Sequence, residues 1–255
     1  MSRVSNTLLG VALMMAAAQA MAESFEGQLR WLQRVELSTL VSGVVEQVAV
    51  APGDRVAKGD LLVQLDQGAL RAGFNQAEAE LAFQQAALEE AERELERTQE
   101  LYDRTLLSDH DLELARINAV RSKAAYQRAQ AQLADARERL RYSAVRAPFD
   151  GVVLRRNVEP GQIVVTRLQS VPLVTMAGTG ELLARMEAGA EQLAGIEAAE
   201  EIRVRVGDRQ YRGEIYHIGV EPVAAGGDRY PVDVVFSPDS ERTLRIGQPV
   251  VVDFP

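Results

Sequence analysis

The sequence predicts an α+β protein: a split β-sandwich with an inserted antiparallel α-helical coiled-coil hairpin, together with a small antiparallel β-barrel. Three observations support this fold class. Residues 67–142 carry an apolar repeat with a seven-residue period. A Gly-Val-Val pattern followed nine residues later by a Pro-Gly turn occurs once on each side of that stretch, at Gly43 and at Gly151. Residues 175–255 hold short alternating runs separated by glycine-containing turns, as antiparallel strands do.

Residues 1–22 have the pattern of a secretory signal peptide. Arg3 gives a basic start, residues 8–18 form an apolar core, and Ala20 and Ala22 fit a small-x-small cleavage site. The apolar core is shorter than the roughly 20 residues that span a bilayer comfortably. We therefore expect export and cleavage, with an uncleaved N-terminal anchor as the alternative.

Residues 23–40 alternate between apolar and polar side chains. We predict one short strand here and assign it, with residues 175–255, to the β-barrel. Residues 41–66 then hold three β-branched runs separated by tight turns at Gly53 and Gly59. Residues 143–174 repeat this pattern. Neither half is large enough to close a core alone, so we expect 41–66 and 143–174 to pack as one sandwich.

Residues 67–142 predict two long helices joined by a short turn. Paired apolar positions at a seven-residue period make a left-handed coiled-coil seam, because 3.5 residues per turn keeps the stripe facing its partner. No Gly or Pro interrupts the stretch between Phe74 and Tyr142. The two arms are nearly equal in length, which favours an antiparallel hairpin. The predicted seam residues are Phe74, Leu81, Leu88, Leu95, Leu112, Tyr126, Leu133 and Leu140.

Residues 175–255 are predicted to form the antiparallel β-barrel, with a short helix at residues 190–198. Four further runs between Ile202 and Phe254 alternate as strands do.

The paired halves resemble a biotinyl/lipoyl-type fold, and the inserted hairpin makes the whole similar to the periplasmic adaptor proteins. These are the HlyD-like membrane fusion proteins of tripartite efflux and type I secretion systems. The resemblance is carried by residues 43–66 and by Arg146, Ala147, Pro148, Phe149, Asp150 and Gly151. It implies a lipoyl-like sandwich with the hairpin between its halves. Residues 244–250 resemble the closing hairpin of the family's β-barrel, and because the chain stops at Pro255 we expect the family's membrane-proximal domain to be absent.

A lipoyl-type fold also raises the hypothesis of a carrier with biotin or lipoate on a lysine. Carrier domains present that lysine at a tight turn between the two halves. Here Leu65 and Asp66 run into a helix instead, and the only lysines are Lys58 and Lys123. The sequence therefore disfavours the carrier, and we expect no cofactor.

The turn between the helices carries a pattern that the adaptor family shows at its hairpin tip. Arg97, Leu101 and Ser108 match the family spacing of Arg, Leu four residues on, and Ser seven further. Arg97 and Leu101 are at i and i+4 and so share one helical face. Alternatively, Arg97 is a solvated charge, Leu101 closes the hairpin, and Ser108 only caps the second helix. The resemblance implies that these three residues dock a TolC-type outer-membrane channel.

Composition excludes several other functions. The chain has no cysteine, only two histidines and a net charge of −9, which argues against thiol chemistry, metal centres and nucleic-acid binding. We find no catalytic and no metal-binding residues. The resemblance implies a non-enzymatic periplasmic adaptor linking an inner-membrane transporter, of RND rather than ABC type, to the channel, as a homo-oligomer, most simply a hexamer. The alternative is an exported coiled-coil scaffold with no transport role.

Overall fold

The computed structural model describes residues 23–166, 171–199, 201–239 and 244–254. The predicted signal peptide lies outside the described residues. Within that part of the chain, no helix is both long and apolar enough to cross a membrane. The strands are β1 (Glu23–Trp31), β2 (Arg34–Leu37), β3 (Gly43–Val48), β4 (Arg55–Val56), β5 (Leu61–Leu65), β6 (Ala144–Arg146), β7 (Gly151–Arg156), β8 (Ile163–Val164), β9 (Val174–Gly178), β10 (Leu182–Gly189), β11 (Ile202–Val206), β12 (Arg209–Ile218), β13 (Arg229–Phe236) and β14 (Pro249–Phe254). The helices are α1 (Gly68–Asp103), α2 (Asp109–Tyr142) and α3 (Ala190–Glu197).

The described chain divides into two compact units: residues 23–34 with the described residues from 177 onward, and the described residues from 35 to 176. The second unit contains the sandwich, built from sheets of order β2-β9-β7-β4 and β6-β5-β3-β8. Strands of the first half pair with strands of the second: β3 with β8, β4 with β7, and β5 with β6. One core therefore forms from both halves, as expected, and neither half closes alone.

The repeat in sequence corresponds to a repeat in hydrogen bonding. Gly53 N–H donates to Val153 O (2.8 Å), and Gly161 N–H donates to Val45 O (2.8 Å). Gly53 and Gly161 both have a left-handed backbone, with φ of 97° and 86°, which favours glycine. Val45 and Val153, each 1% exposed, occupy equivalent places in the core. Each Pro-Gly turn thus holds the central valine of the opposite half.

The helical hairpin leaves the sandwich between β5 and β6. Buried Ser143 fixes its base: Gln67 Nε2 donates to Ser143 Oγ (2.8 Å), which donates to Leu140 O (2.6 Å). Thr39 Oγ1 donates to Tyr142 O (2.7 Å) beside it. These bonds tie the start of α1 and the end of α2 to the same point, so the helices run antiparallel. At 1.5 Å per residue, an arm of 36 residues is about 54 Å long.

The predicted seam positions all lie on the side where α1 and α2 meet. Leu112 is buried, and the other seven, from Phe74 to Leu140, are half-buried, while their neighbours on the far side are exposed. The deepest contacts, however, come from small side chains: Ala91 is 3% and Ala129 is 2% exposed. Alanines let the two helix backbones approach closely, so the larger side chains border the seam.

The expectation that residues 23–40 form one strand of the barrel holds for β1 and is wrong for β2. The chain forms two strands that separate after Trp31. β1 pairs with β10 and β14 in the barrel, whereas β2 lies beside β9 in the sandwich. The boundary between the two units therefore falls near residue 34 rather than residue 40.

The first unit is a closed six-stranded antiparallel barrel of order β1-β10-β13-β12-β11-β14. The predicted barrel and its short helix are thus confirmed. Its interior is lined by alternating residues of every strand, including Leu29, Ala184, Val204, Val234 and Val252. On β10 and β13, Arg185 and buried Asp233 form a bidentate ion pair with both N···O distances 2.7 Å. This bond raises the pKa of Arg185.

Candidate docking site at the hairpin tip

The tip of the hairpin is a tight five-residue connection between α1 and α2. α1 ends after Asp103, and Thr105 adopts a left-handed backbone with φ of 61°, rare outside glycine. Thr105 N–H donates to Tyr102 O (2.8 Å), and Leu106 N–H donates to Leu101 O (3.0 Å). These two bonds satisfy carbonyls that the end of a helix leaves free and turn the chain back on itself.

Ser108 is the N-cap residue of α2, as the sequence predicted for its capping role. Its Oγ accepts from Asp111 N–H (3.3 Å) and donates to Asp111 Oδ2 (2.7 Å). Ser108 N–H also donates to Asp111 Oδ2 (3.1 Å), which completes a capping box. The hydrogen bond from the Ser108 side chain, and then that from its backbone, lower the pKa of Asp111.

A second bond closes the tip between the helices. Tyr102 Oη donates to Asp109 Oδ1 (2.5 Å), so the last turn of α1 is tied to the first turn of α2. This bond, followed by the negative charge of Asp109, raises the pKa of Tyr102. The tip is therefore held by side chains as well as by the turn.

Arg97 and Leu101 lie one turn apart on α1, at the tip end of the hairpin. Arg97 is exposed and forms an ion pair with Glu94 on its own helix. Leu101 is half-buried, so part of its side chain closes the hairpin and part faces outward. The structure places Arg97, Leu101 and Ser108 at the same end of the hairpin, with Ser108 fixing where α2 begins.

Sequence reasoning missed Leu106 as a candidate contact residue. Its side chain is 61% exposed at the turn, next to half-buried Leu107. The sequence did contain a sign of this exposed side chain, since Leu106 and Leu107 are adjacent in the turn and only one of them can point inward. The tip thus presents Arg97, part of Leu101 and Leu106 to solvent.

The described residues hold no cluster of three or more His, Asp or Glu side chains that fits a metal ion. The two histidines, His110 at the tip and His217 on β12, belong to different units and are both exposed.

The described chain thus combines a sandwich split by a helical hairpin with a closed six-stranded β-barrel. The family model described as a CzcB-like, barrel-sandwich hybrid domain matches residues 33–174. The chain belongs to this family, and its resemblance to the membrane fusion proteins is confirmed.

Two relatives illustrate the similarity in sequence. Nodulation protein NolF of Rhizobium meliloti (strain 1021) is 32% identical over 228 residues, covering 87% of this chain and 59% of NolF. Multidrug resistance protein MdtA of Yersinia enterocolitica is 30% identical over 145 residues, covering 57% of this chain and 32% of MdtA. The chain thus spans less than two thirds of the length of either relative.

Two solved structures illustrate the similarity in fold. A MacA-MexA chimeric protein containing the Pseudomonas aeruginosa MexA α-hairpin domain matches with a TM-score of 0.68 and 22% identity, over 91% of this chain and 80% of that one. The membrane fusion protein Spr0693 from Streptococcus pneumoniae R6 matches with a TM-score of 0.69 and 18% identity, over 90% and 97%. At these identities the likeness shows the fold.

Proposed function

We propose that this protein is a non-enzymatic periplasmic adaptor of a tripartite efflux pump. Its hairpin tip docks a TolC-type outer-membrane channel, and the rest of the chain serves an inner-membrane transporter, of RND rather than ABC type. The observation that carries the proposal is the tip itself. An arm of about 54 Å, hydrogen-bonded to the sandwich at its base, ends in an exposed surface that includes Arg97, Leu106 and part of Leu101.

The pattern of contacts at the tip supports a division of roles among the three predicted residues. The Ser108 hydroxyl hydrogen-bonds to Asp111 in the capping box and so fixes where α2 begins. Arg97 keeps guanidinium N–H groups beyond its single ion pair with Glu94, so it can donate to an acceptor on the channel. Leu101 supplies the apolar contact beside it.

Export to the periplasm and assembly as a homo-hexamer complete the proposal. The sequence of residues 1–22 supports export, and family membership supports the adaptor over the plain coiled-coil scaffold. The relative named a multidrug resistance protein supports efflux as the process served. No nucleic acid or cofactor takes part.

The test is capture of a purified TolC-type channel by the Leu101→Asp variant. We expect the variant to lose capture, because a carboxylate replaces the apolar contact at the interface, while its helical circular dichroism stays that of wild type. Leu40→Asp is the matched control, since Leu40 is an exposed leucine of the sandwich far from the tip in the same unit. Capture by Leu101→Asp at the wild-type level would refute the docking assignment.

A further inference from the structure

A cleft, which we call the barrel cleft, lies on the outer face of the barrel between β1, β10 and the loop of residues 219–228 that joins β12 to β13. Its volume is about 530 Å³, within the range of small-molecule sites. Arg30 of β1 and Arg185 of β10 line it. Both point outward, because their neighbours Leu29 and Ala184 lie in the barrel core. The cleft and the hairpin tip belong to different units.

A buried carboxylate holds the guanidinium of Arg185 in place. Asp233, directly opposite on β13 and 4% exposed, accepts from Arg185 Nε and Nη2. A guanidinium carries its N–H donors in one fixed plane, so the Nη1 groups and the second N–H of Nη2 remain unused. This remaining edge presents two parallel N–H groups, the geometry that binds a planar carboxylate. The Arg185 side chain is 45% exposed, so the edge is open to a ligand in the barrel cleft.

Arg30 supplies an uncompensated positive charge beside this edge. It is a diagonal neighbour of Arg185, because Gln28 is the residue of β1 directly opposite Arg185. Diagonal neighbours on one face of a sheet lie within reach of long side chains. Arg30 is exposed and makes no ion pair or side-chain hydrogen bond with the described residues. Arg30 thus offers charge, and Arg185 offers oriented donors.

Two carboxylates also line the barrel cleft. Glu187 of β10 is engaged by Arg229, whose Nε lies 4.0 Å from Glu187 Oε2 and whose Nη2 donates to Glu187 O (3.2 Å). Glu221 belongs to the loop, is exposed and makes no ion pair with the described residues. Glu187 therefore leaves the charge of Arg30 unopposed, whereas Glu221 should weaken the attraction of an anion.

The loop gives the barrel cleft an apolar wall. Val220 is 90% and Val223 is 53% exposed, so both side chains are largely uncovered in the described chain. Backbone bonds hold the loop on β13: Gly219 N–H donates to Pro231 O and Val223 N–H donates to Arg229 O, both at 2.8 Å. A Cβ at Gly219 would lie 2.5 Å from Pro231 Cγ, so glycine permits this close approach. The wall is therefore formed without a ligand.

We propose that the barrel cleft binds a small organic carboxylate that carries an apolar body. The carboxylate accepts from the free edge of Arg185 and pairs with Arg30, while the apolar body covers Val220 and Val223. Charge-assisted hydrogen bonds and burial of apolar surface both contribute to binding, so a ligand needs both parts. The inference goes beyond the proposed docking role, because binding at the barrel requires no channel.

Isothermal titration calorimetry of the full chain tests the site, with octanoate below its micelle concentration as the probe. Octanoate should bind saturably, with one site per chain. Acetate has the same carboxylate without the apolar body, and octylammonium has the same body with the opposite charge. Each should bind at least about tenfold more weakly than octanoate, because each lacks one of the two contributions.

Matched variants assign the contributions of the charged residues. Arg30→Gln should weaken octanoate binding by about tenfold or more, because it removes the unpaired charge. Arg212→Gln is the control, since Arg212 is an exposed arginine of β12 outside the cleft and should bind octanoate like wild type. Arg185→Lys keeps a cation beside Asp233 but removes the planar fork, so it should also weaken binding. Glu221→Gln should tighten it. Thermal unfolding shows that each variant is folded.

Three results would overturn the proposal. One is the absence of saturable octanoate binding by the wild-type chain. Another is binding of octylammonium as tight as that of octanoate, which shows that the arginines do not select the ligand. The third is wild-type affinity for octanoate in Arg30→Gln. If wild type binds no octanoate and Arg30→Gln loses capture of an inner-membrane transporter, the cleft belongs to the transporter instead.

Discussion

At the scale of single residues, the hydroxyl of Ser108 is the most heavily used group of the tip. It donates to the Asp111 carboxylate and accepts from the Asp111 N–H at the same time. One lone pair of the oxygen remains for a partner. In the docking role that we propose, Ser108 fixes the first turn of α2 through Asp111, and Arg97 and Leu101 are the contact residues.

Ser108→Ala should weaken the start of α2 by about 1 kcal/mol, the usual value of an N-cap side chain. The pKa of Asp111, which is lowered in the folded protein, should rise toward its ordinary value in the variant. A carboxyl with a lowered pKa stabilises the fold above its unfolded value of about 3.9 and loses that contribution as the pH falls through the folded value. The acid sensitivity of the tip below about pH 4 should therefore diminish.

Amide hydrogen exchange at residues 108–112 and an NMR titration of Asp111 measure the two effects. Glu100→Gln is the control, because Glu100 is exposed in the last turn of α1 and takes no part in the cap. An unchanged Asp111 pKa in Ser108→Ala would contradict the capping account.

The sequence identified the cap but not the exposed surface of the tip. Ser followed three residues later by Asp is a local signature of a helix start, so Ser108 could be assigned from its neighbours alone. Leu106 follows Thr105, whose backbone is left-handed. Threonine rarely adopts this conformation, so the sequence offered no reason to expect the turn that exposes Leu106. Likewise, the sequence places several glutamates near Arg97, so it could not show that Glu94 is the one with which Arg97 forms an ion pair.

At the scale of elements, the small residues of the seam set how closely α1 and α2 approach. Ala129 is 2% exposed between the helices, whereas its neighbour Gln130 is exposed on the surface. Ala129→Asp should cost about 3 to 5 kcal/mol, because it leaves a charge unpaired in the seam. Gln130→Asp is the matched control and should change stability by less than about 0.5 kcal/mol.

Urea unfolding followed by far-ultraviolet circular dichroism measures both variants. If Ala129→Asp unfolds at the same urea concentration as Gln130→Asp, the antiparallel packing of the two helices is wrong.

The heptad repeat was strong enough to predict both helices nearly to their ends. It did not predict, however, that alanines would be the most buried residues between the helices. A seven-residue period shows which side of a helix faces its partner but not how closely the partner approaches.

The strand at Arg34–Leu37 illustrates what local patterns cannot decide. Apolar and polar residues alternate on both sides of Leu32 and Gln33, so the stretch looks like one strand. Assignment of β2 to the sandwich follows from its place beside β9, which lies more than 130 residues away in the sequence. Alternation defines a strand and its buried face, whereas the choice of sheet depends on partners elsewhere in the chain.

At the scale of the whole molecule, the two halves of the sandwich hold the hairpin between them. The internal repeat predicted that both halves share one core, and the exchanged bonds of Gly53 with Val153 and of Gly161 with Val45 give the reason. Because each half completes the other, the insertion is fixed at both ends rather than tethered at one. An arm fixed in this way can present its tip at a set distance from the sandwich.

The most direct test of the adaptor account is photo-crosslinking from the tip in whole cells. A photoreactive residue replaces Leu106, which is 61% exposed at the turn, and a control carries it at Gln132, exposed near the base of α2. The account predicts an adduct between position 106 and a TolC-type outer-membrane channel, identified by mass spectrometry, and none from position 132. Absence of any outer-membrane protein from the adducts of position 106 would contradict it.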